Sequence, residues 1–230
     1  MTTNERFRLT APAVGRTTAM EMVKSSLRYG ILRGDLPAGS RLVQTEIADQ
    51  LGVSTTPVRE AMRDLATEGL ISLDTHRTGT VRTPDWDEMV EIVELRRALE
   101  RLALEKAMAG ITKADLAEAR GIAEELAAES DLGGWVELNN SFHAVFHRAT
   151  RTKRLAALFL ALEEAGGIFV AQAQRLHPDL RLDAIDDHFD LLECFETGDL
   201  DRAVSIQFRH VNLPLEGHDD EVESVEATAT

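Results

Sequence analysis

Apolar positions in the first third of the chain come in short runs at helical spacing, broken by a sharp polar turn. Ile47, Ala48 and Leu51 make one apolar face at i, i+1 and i+4, and Val58, Ala61, Met62 and Leu65 continue one beyond the break. Gly52 suits a left-handed helix stop, where a side chain costs steric energy. Ser54, Thr55 and Thr56 are all capable N-cap residues, and Pro57 fits a first helical turn, where its missing N–H has no partner to lose. The pattern predicts a helix-turn-helix, whose second helix commonly lies in the DNA major groove. Upstream, residues 31–42 end a helix and make a Pro/Gly turn before a short apolar step. Downstream, Glu68-Gly69-Leu70 closes the second helix. Ile71-Ser72-Leu73-Asp74 and Gly79-Thr80-Val81-Arg82 then read as two short strands around the polar tip His76-Arg77-Thr78. A hairpin directly after such a helix is a wing, which sets this pattern apart from an ordinary helical hairpin.

From Pro84 onward the period is helical throughout. Asp85 followed by Glu88 makes a capping-box-like start for a long helix over 86–109, with Met89, Ile92, Val93, Leu99, Leu102 and Ala103 facing inward and Gly110 as its stop. Thr112 and Asp115 open a second, to about Ala128. Gly133-Gly134 precedes a third over about 135–150, and a fourth spans about 155–176, with Gly166-Gly167 a candidate kink. A fifth runs from Leu182 to Glu196 and a sixth from Asp199 to about Val211, before Pro214. Six antiparallel helices of this length make a bundle. The predicted fold class is mostly α: an N-terminal winged helix-turn-helix domain followed by an all-α antiparallel helical bundle. The expected boundaries are a disordered tail over 1–16, the winged helix over 17–82, a linker over 83–86, the bundle over 87–214 and an acidic disordered tail over 215–230.

Composition sharpens this picture at three points. The chain has 230 residues, room for two small domains that each bury a core, with 43% hydrophobic and 28% charged residues. No apolar run approaches the ~20 residues that span a bilayer, and the N-terminus lacks a signal peptide's basic start and apolar stretch. The single Cys194 forms no internal disulfide, which suits a reducing cytoplasm, and it falls between apolar neighbours as a core residue. The expected setting is therefore cytoplasmic, with no membrane partner. A net charge of −15 looks wrong for a DNA binder until the chain is divided. Residues 1–82 carry 11 Lys+Arg against 9 Asp+Glu, a balance of +2, while residues 83–230 carry 14 against 31, a balance of −17. DNA contact then depends on local basic groups of the first segment, chiefly Arg41, Arg59, Arg63 and Arg77.

The first segment resembles the GntR superfamily of bacterial transcription regulators. The resemblance rests on Gly34, Leu36, Pro37, Gly39, Ser40, Leu42, Ala48, Leu51-Gly52-Val53-Ser54, Thr56-Pro57-Val58-Arg59-Glu60-Ala61, Leu65, Glu68-Gly69-Leu70 and Gly79. It implies DNA contacts from Arg41, Thr55, Thr56, Arg59, Arg63, Arg77 and Gly79. The second helix would enter the major groove, and Arg41 and the wing would hold the backbone. Thr55 stands where the family often has Arg, and Thr cannot make Arg's bidentate guanine contact. A dimer on a roughly palindromic double-stranded operator is the expected assembly, as a weak charge balance needs two heads for useful affinity.

The second segment carries a histidine constellation. Asn139 and His143 share a helix face at i, i+4, and His188 and His210 lie on later helices. Three imidazoles with an oxygen ligand can hold a divalent ion with positions left open, although spacing alone also admits His147, i+4 from His143. Residues 86–213 resemble the FCD effector domain of the FadR-like branch, through residues 94–100, Asn139-Asn140-Ser141-Phe142-His143, His188 with Leu191, and residues 198–203 ahead of His210. The resemblance implies Asn139, His143, His188 and His210 as ligands and leaves His147 outside. Asn139 replaces the more usual Asp, a neutral oxygen for a charged one, so it either ligates the ion or orients the effector. Zn²⁺ fits imidazole-rich ligation best, with Ni²⁺, Mn²⁺ or Fe²⁺ compatible. The implied effector is a small organic or sugar acid, with Arg96 as its guanidinium clamp or, alternatively, as a surface Arg paired with Glu100. A structural metal without metabolite response, or a metal-dependent hydrolase, are the competing readings. Hydrolysis lacks support, as no HExxH pair, Ser/His/Asp order or glycine-rich phosphate loop is present.

Overall fold

The computed structural model describes residues 18–74, 78–216 and 218. The expected N-terminal tail, the wing tip with His76 and Arg77, and most of the acidic tail lie outside the described residues. Contacts divide the chain into two compact units, Met1–Pro84 and Asp85–Thr230.

The first unit runs α1 (Ala19–Arg33), β1 (Arg41–Val43), α2 (Gln44–Leu51), α3 (Thr55–Thr67), β2 (Ile71–Leu73) and β3 (Thr78–Val81). Thr18 and Glu21 close α1 with a reciprocal capping box. Val23 and Leu27 of α1, Ile47 of α2, and Val58, Met62 and Leu65 of α3 are wholly buried and form the core. The turn between α2 and α3 is set by Gly52 at φ 66°, ψ 34°, a left-handed geometry costly for other residues. The sheet is antiparallel with order β1-β3-β2. Its first strand, Arg41–Val43, was read from the sequence only as an apolar step. With three residues and one buried side chain it has too short an alternation to announce itself. Gly79, expected on the DNA-facing wing, is instead buried mid-sheet, with Leu42 and Leu73 as its strand partners. A Cβ there would stand 2.6 Å from Met62 Cε and 3.2 Å from Ile71 Cδ1. Glycine here leaves the room that the ends of Met62 and Ile71 fill.

The second unit consists of α4 (Trp86–Gly110), α5 (Lys113–Ala128), α6 (Leu132–Ala149), α7 (Lys153–Leu176), α8 (Leu180–Thr197) and α9 (Leu200–His210). Residues 213–216 add one further helical turn where the tail was expected to begin. Thr112 and Asp115, expected to open α5, do so with a capping box, and Asp199 caps α9 through the N–H of Arg202. Phe142, Phe146, Leu191, Leu192, Phe195 and Ala203 interlock as the main core of α6, α8 and α9. The α7 helix has a mean hydropathy of 1.5 over its most apolar stretch, enough by length and composition to cross a bilayer. Half of that stretch is buried inside the unit, and Glu163 within it is 4% exposed and bonded to His147. Those are properties of a core helix.

Three local expectations need correction. Leu102 points outward and is 45% exposed, because the buried stripe of α4 passes through Glu100, Ala103, Leu104 and Ala107. A charged residue holds a stripe position that hydrophobicity alone would have given to leucine. The Gly133-Gly134 pair lies inside the first turn of α6, since Asp131 accepts from the Gly134 N–H at 2.8 Å and starts the helix earlier. Gly110 is the last residue of α4 rather than a stop beyond it.

Gly110 and Gly121 yield opposite predictions. In a helix, Gly→Ala ordinarily gains up to about 1 kcal/mol. Gly121 in α5 faces open space, so Gly121→Ala should raise the unfolding midpoint. At Gly110 an added Cβ would lie 2.1 Å from the backbone oxygen of Ala149, so Gly110→Ala should destabilise the bundle by roughly 1–3 kcal/mol through overpacking. Thermal unfolding of the two variants checks both signs. Stabilisation by Gly110→Ala would contradict the close approach of α4 and α6.

Candidate nucleic-acid interface and metal centre

The α3 helix presents two faces. Val58, Ala61, Met62 and Leu65 are buried, while Thr55, Thr56, Glu60, Arg63 and Thr67 are exposed and Arg59 is half-buried. Thr55, Arg59 and Arg63 follow one another at i, i+4 and i+8, so they share one side of the helix. Ser54 holds the N-cap position yet makes no side-chain bond to the helix. Its hydroxyl and the first N–H groups of α3 form a ready anion-binding end. Arg41 is exposed on β1, with its Nη2 3.5 Å from Thr78 Oγ1. Other cations of this unit have structural tasks. Lys24 and Arg28 both bind the buried carboxylate of Glu68, the former at 2.6 Å, and Arg82 donates to the Gly69 carbonyl at 3.0 Å.

In the second unit, α6, α8 and α9 bring three imidazoles to one buried point. His143 Nε2 lies 3.1 Å from His210 Nε2 and 3.4 Å from His188 Nε2. Ligand atoms of all three lie within 4.8 Å of one another. Two nitrogens bound tetrahedrally to one Zn²⁺ sit roughly 3.3 Å apart, given Zn–N distances of about 2.0–2.1 Å. The spacing fits a metal. Hydrogen bonding alone satisfies such a trio poorly, as each neutral ring has only one N–H to give. Burial pushes His143 and His188 well below the usual 6.5, and neighbouring positive charge adds to the effect. His210 is lowered by burial as well, partly offset by its bond to Asp187. Neutral imidazole is the metal-binding form. Asn139, 7% exposed and one turn before His143, has its Oδ1 buried with no partner. An unfilled acceptor beside three inward nitrogens fits an oxygen ligand.

Asp187 supports this centre and was not singled out from the sequence. Its Oδ2 lies 3.5 Å from His210 Nδ1, and its Oδ1 accepts from the Arg209 guanidinium. Burial alone would raise this carboxyl, but the bonds from His210 and Arg209 hold it below its ordinary value. At 3.5 Å this is an ion-pair approach rather than a hydrogen bond, and it puts a carboxylate on the Nδ1 side of His210 while Nε2 faces His143, as behind metal ligands. The only sequence hint was adjacency, Asp187 before His188 and Arg209 before His210.

His147 stands apart from the trio. Its Nε2 is 2.8 Å from Glu163 Oε1, and its ring stacks on Phe159 with centroids 4.5 Å apart. The Arg96 side chain is only 11% exposed, which argues against the surface reading. Its Nε is 3.9 Å from Glu100 and its Nη2 is 3.9 Å from Glu163. Two carboxyls face this guanidinium at 3.9 Å, and burial raises that of Glu100. Arg96 thus sits in a charge cluster with Glu100, Glu163 and His147, while its Nε and Nη2 make no hydrogen bond, so the acid-clamp role stays a proposal.

A winged helix with an exposed polar and basic helix face, joined in sequence to an all-helical unit, defines a class: the DNA-binding transcription regulators. The chain belongs to the GntR family, since residues 19–81 match the bacterial regulatory proteins of the gntR family and residues 91–213 match the FCD domain. The "Probable D-xylose utilization operon transcriptional repressor" of Paenarthrobacter nicotinovorans is 33% identical over 215 residues, 91% of this chain and 93% of its own length. The "HTH-type transcriptional regulator McbR" of Escherichia coli (strain K12) is 32% identical over 131 residues, 55% of this chain and 59% of its own. The solved structure "E. coli McbR/YncC" shares the fold with a TM-score of 0.73 at 23% identity, over 89% of this chain and 99% of that one. A GntR-family regulator from Pseudomonas syringae pv. tomato str. DC3000 is 30% identical with a TM-score of 0.51, over 92% and 89%. The chain is a transcription regulator, not an enzyme.

The depressed imidazoles make a signed prediction for metal-free protein. Below 6.5 the unfolded chain binds protons that the folded bundle refuses, so stability is full above that value and falls as pH drops through it. Glu100 acts in the opposite sense, because burial raises its carboxyl and its contribution is lost as pH rises above 4.5. Glu100→Gln removes that counter-effect. In this background, the unfolding midpoint should fall between about pH 7.5 and 5.5. Both tryptophans, Trp86 and Trp135, lie in the second unit, so their fluorescence reports on it. A flat midpoint across this range would contradict three buried neutral imidazoles.

Proposed function

We propose that this protein is a metabolite-responsive repressor whose helical domain binds a small carboxylate effector at a divalent metal. The observation that carries this reading is the convergence of His143, His188 and His210 around one buried point, with the unpartnered Asn139 Oδ1 beside them. The metal, when bound, supplies a Lewis-acid seat for a carboxylate oxygen. Zn²⁺ is favoured by the three imidazoles, with Ni²⁺, Mn²⁺ or Fe²⁺ as other occupants. His143, His188, His210 and Asn139 hold it, and Asp187 orients His210. Repression is supported by the name of the Paenarthrobacter relative.

On the DNA side, Thr55, Thr56, Arg59 and Arg63 meet bases or phosphates in the major groove, Ser54 and the start of α3 take a phosphate, and Arg41 holds the backbone. Arg77 at the wing tip joins them as an expectation from sequence. Gly79 is left out because it is buried. The protein acts as a homodimer on a roughly palindromic operator, since a first segment of only +2 gains useful affinity from two linked heads. Effector binding must favour one arrangement of the dimer by about 1–3 kcal/mol to release DNA.

Two substitutions separate these parts. Arg59→Ala should abolish operator binding in a mobility-shift assay while circular dichroism stays unchanged, and retained affinity would remove α3 from the groove. His143→Ala should lose the bound ion by elemental analysis yet still bind operator. Unchanged metal content would refute the centre.

A further inference from the structure

Beyond His210 the backbone stays hydrogen-bonded. The Val211 N–H donates to the Gln207 carbonyl and that of Asn212 to Arg209, both at 3.0 Å, and the N–H groups of Leu215 and Glu216 donate to the Asn212 carbonyl at 2.9 and 3.1 Å. Val211 and Leu213 are buried. Leu213 and Pro214 line, with Trp135, Asn139, Gln174 and His210, a cavity of about 30 Å³, room for about one water. Little slack is left between this segment and the histidine centre. At its far end His218 lays its ring flat on Trp86, with centroids 4.1 Å apart and planes 4° from parallel. Trp86 in turn meets Phe169 of α7 edge-on at 5.4 Å. The indole is thus held between α7 and the C-terminal segment. His218 Nδ1 is buried without a hydrogen-bond partner, so it adds no bond to a contact made by the face of the ring. Trp86 is the first residue of α4 and lies two residues after Pro84, where the first unit ends.

We propose that residues 211–218 form a strap that couples His210 to the root of the linker through the stack of His218 on Trp86. This rests on the metal reading above, because occupancy of the centre is what fixes His210. Only eight positions separate His210 from His218. A short segment that is hydrogen-bonded and packed passes a displacement on, since packed cores switch between discrete arrangements instead of deforming gradually. His210, held in the centre, fixes the end of α9, and the strap carries that position to Trp86. The stack then holds the first turn of α4, from which the linker departs. Closed and open forms of the stack are the two-state element that both the centre and DNA binding bias. Coupling of this kind is reciprocal, so DNA affinity depends on occupancy of the centre through the stack.

Full-length protein carrying Trp135→Phe keeps Trp86 as its one tryptophan, and its emission is followed as one equivalent of zinc is added. Zinc should change that emission. His218→Ala should remove the change while elemental analysis finds the zinc still bound. His218→Phe retains a flat ring without nitrogens, so it should preserve the change and separate stacking from any zinc held by His218 itself. Zinc should also alter affinity for a duplex that the parent protein selects from a random pool, by about fivefold or more. His218→Ala should cut that dependence to under about twofold, and His218→Phe should keep it. The DNA readout needs no Trp135→Phe, which keeps the test valid should that substitution disturb the fold. A zinc response that His218→Ala leaves whole overturns the strap, as does one that His218→Phe abolishes. Zinc retained by the parent with no change in Trp86 emission or in DNA affinity overturns the strap alone. Failure of the parent to retain zinc overturns the metal reading beneath it, and the strap with it.

Discussion

Burying three imidazoles with their Nε2 atoms turned to one point is the constraint on which the helical domain depends. The rings come from α6, α8 and α9, and a core of Phe142, Phe146, Leu191, Leu192 and Phe195 locks those helices together around them. Out of water the rings are held neutral, each with one N–H and one bare nitrogen, and a ring protonated on Nδ1 turns a bare Nε2 to the shared point. Three bare Nε2 atoms at one point are the donor set that suits a cation. Asp187 shows that the arrangement is held from outside as well, since it faces the Nδ1 side of His210 while itself being held by Arg209. The packing needed for a helical bundle and the packing that gathers three imidazoles are here the same packing.

Charge is divided along the chain in the same economical way. The first unit exposes Arg63 on α3 and Arg41 on β1 while Glu68 engages Lys24 and Arg28. The second unit carries the acidic excess, which repels phosphate and leaves DNA contact to the winged helix. Arg96 illustrates how burial changes a residue's meaning. On an exposed helix its pairing with Glu100 would count for little. Here it is part of a buried cluster with Glu100, Glu163 and His147, where removing one partner strands the others.

Much of this was legible in the sequence because local rules acted without competition. Gly52, the Thr112/Asp115 box and the Asp199 cap declare helix ends through backbone chemistry that no tertiary contact overrides. The i, i+4 spacing of Asn139 and His143 put both on one face, and the family resemblance supplied His188 and His210. What was hidden depends on contacts distant in sequence. Leu102 and Glu100 exchanged their expected places because Arg96 and Glu163 make a buried carboxylate tolerable. Gly79 looked like a wing residue until Met62 and Ile71 closed over it. Trp135 and Gln174 lie thirty-nine positions apart, and only the fold gives them one cavity wall.

The histidine centre is tested most directly by nitrogen-15 NMR of protein carrying labelled histidine, recorded before and after zinc is added. The account predicts that three of the seven histidines carry their proton on Nδ1 and that their Nε2 resonances move together with one equivalent of zinc. Imidazoles that keep a proton on Nε2, or that shift independently over a range of zinc concentrations, would contradict a common buried centre.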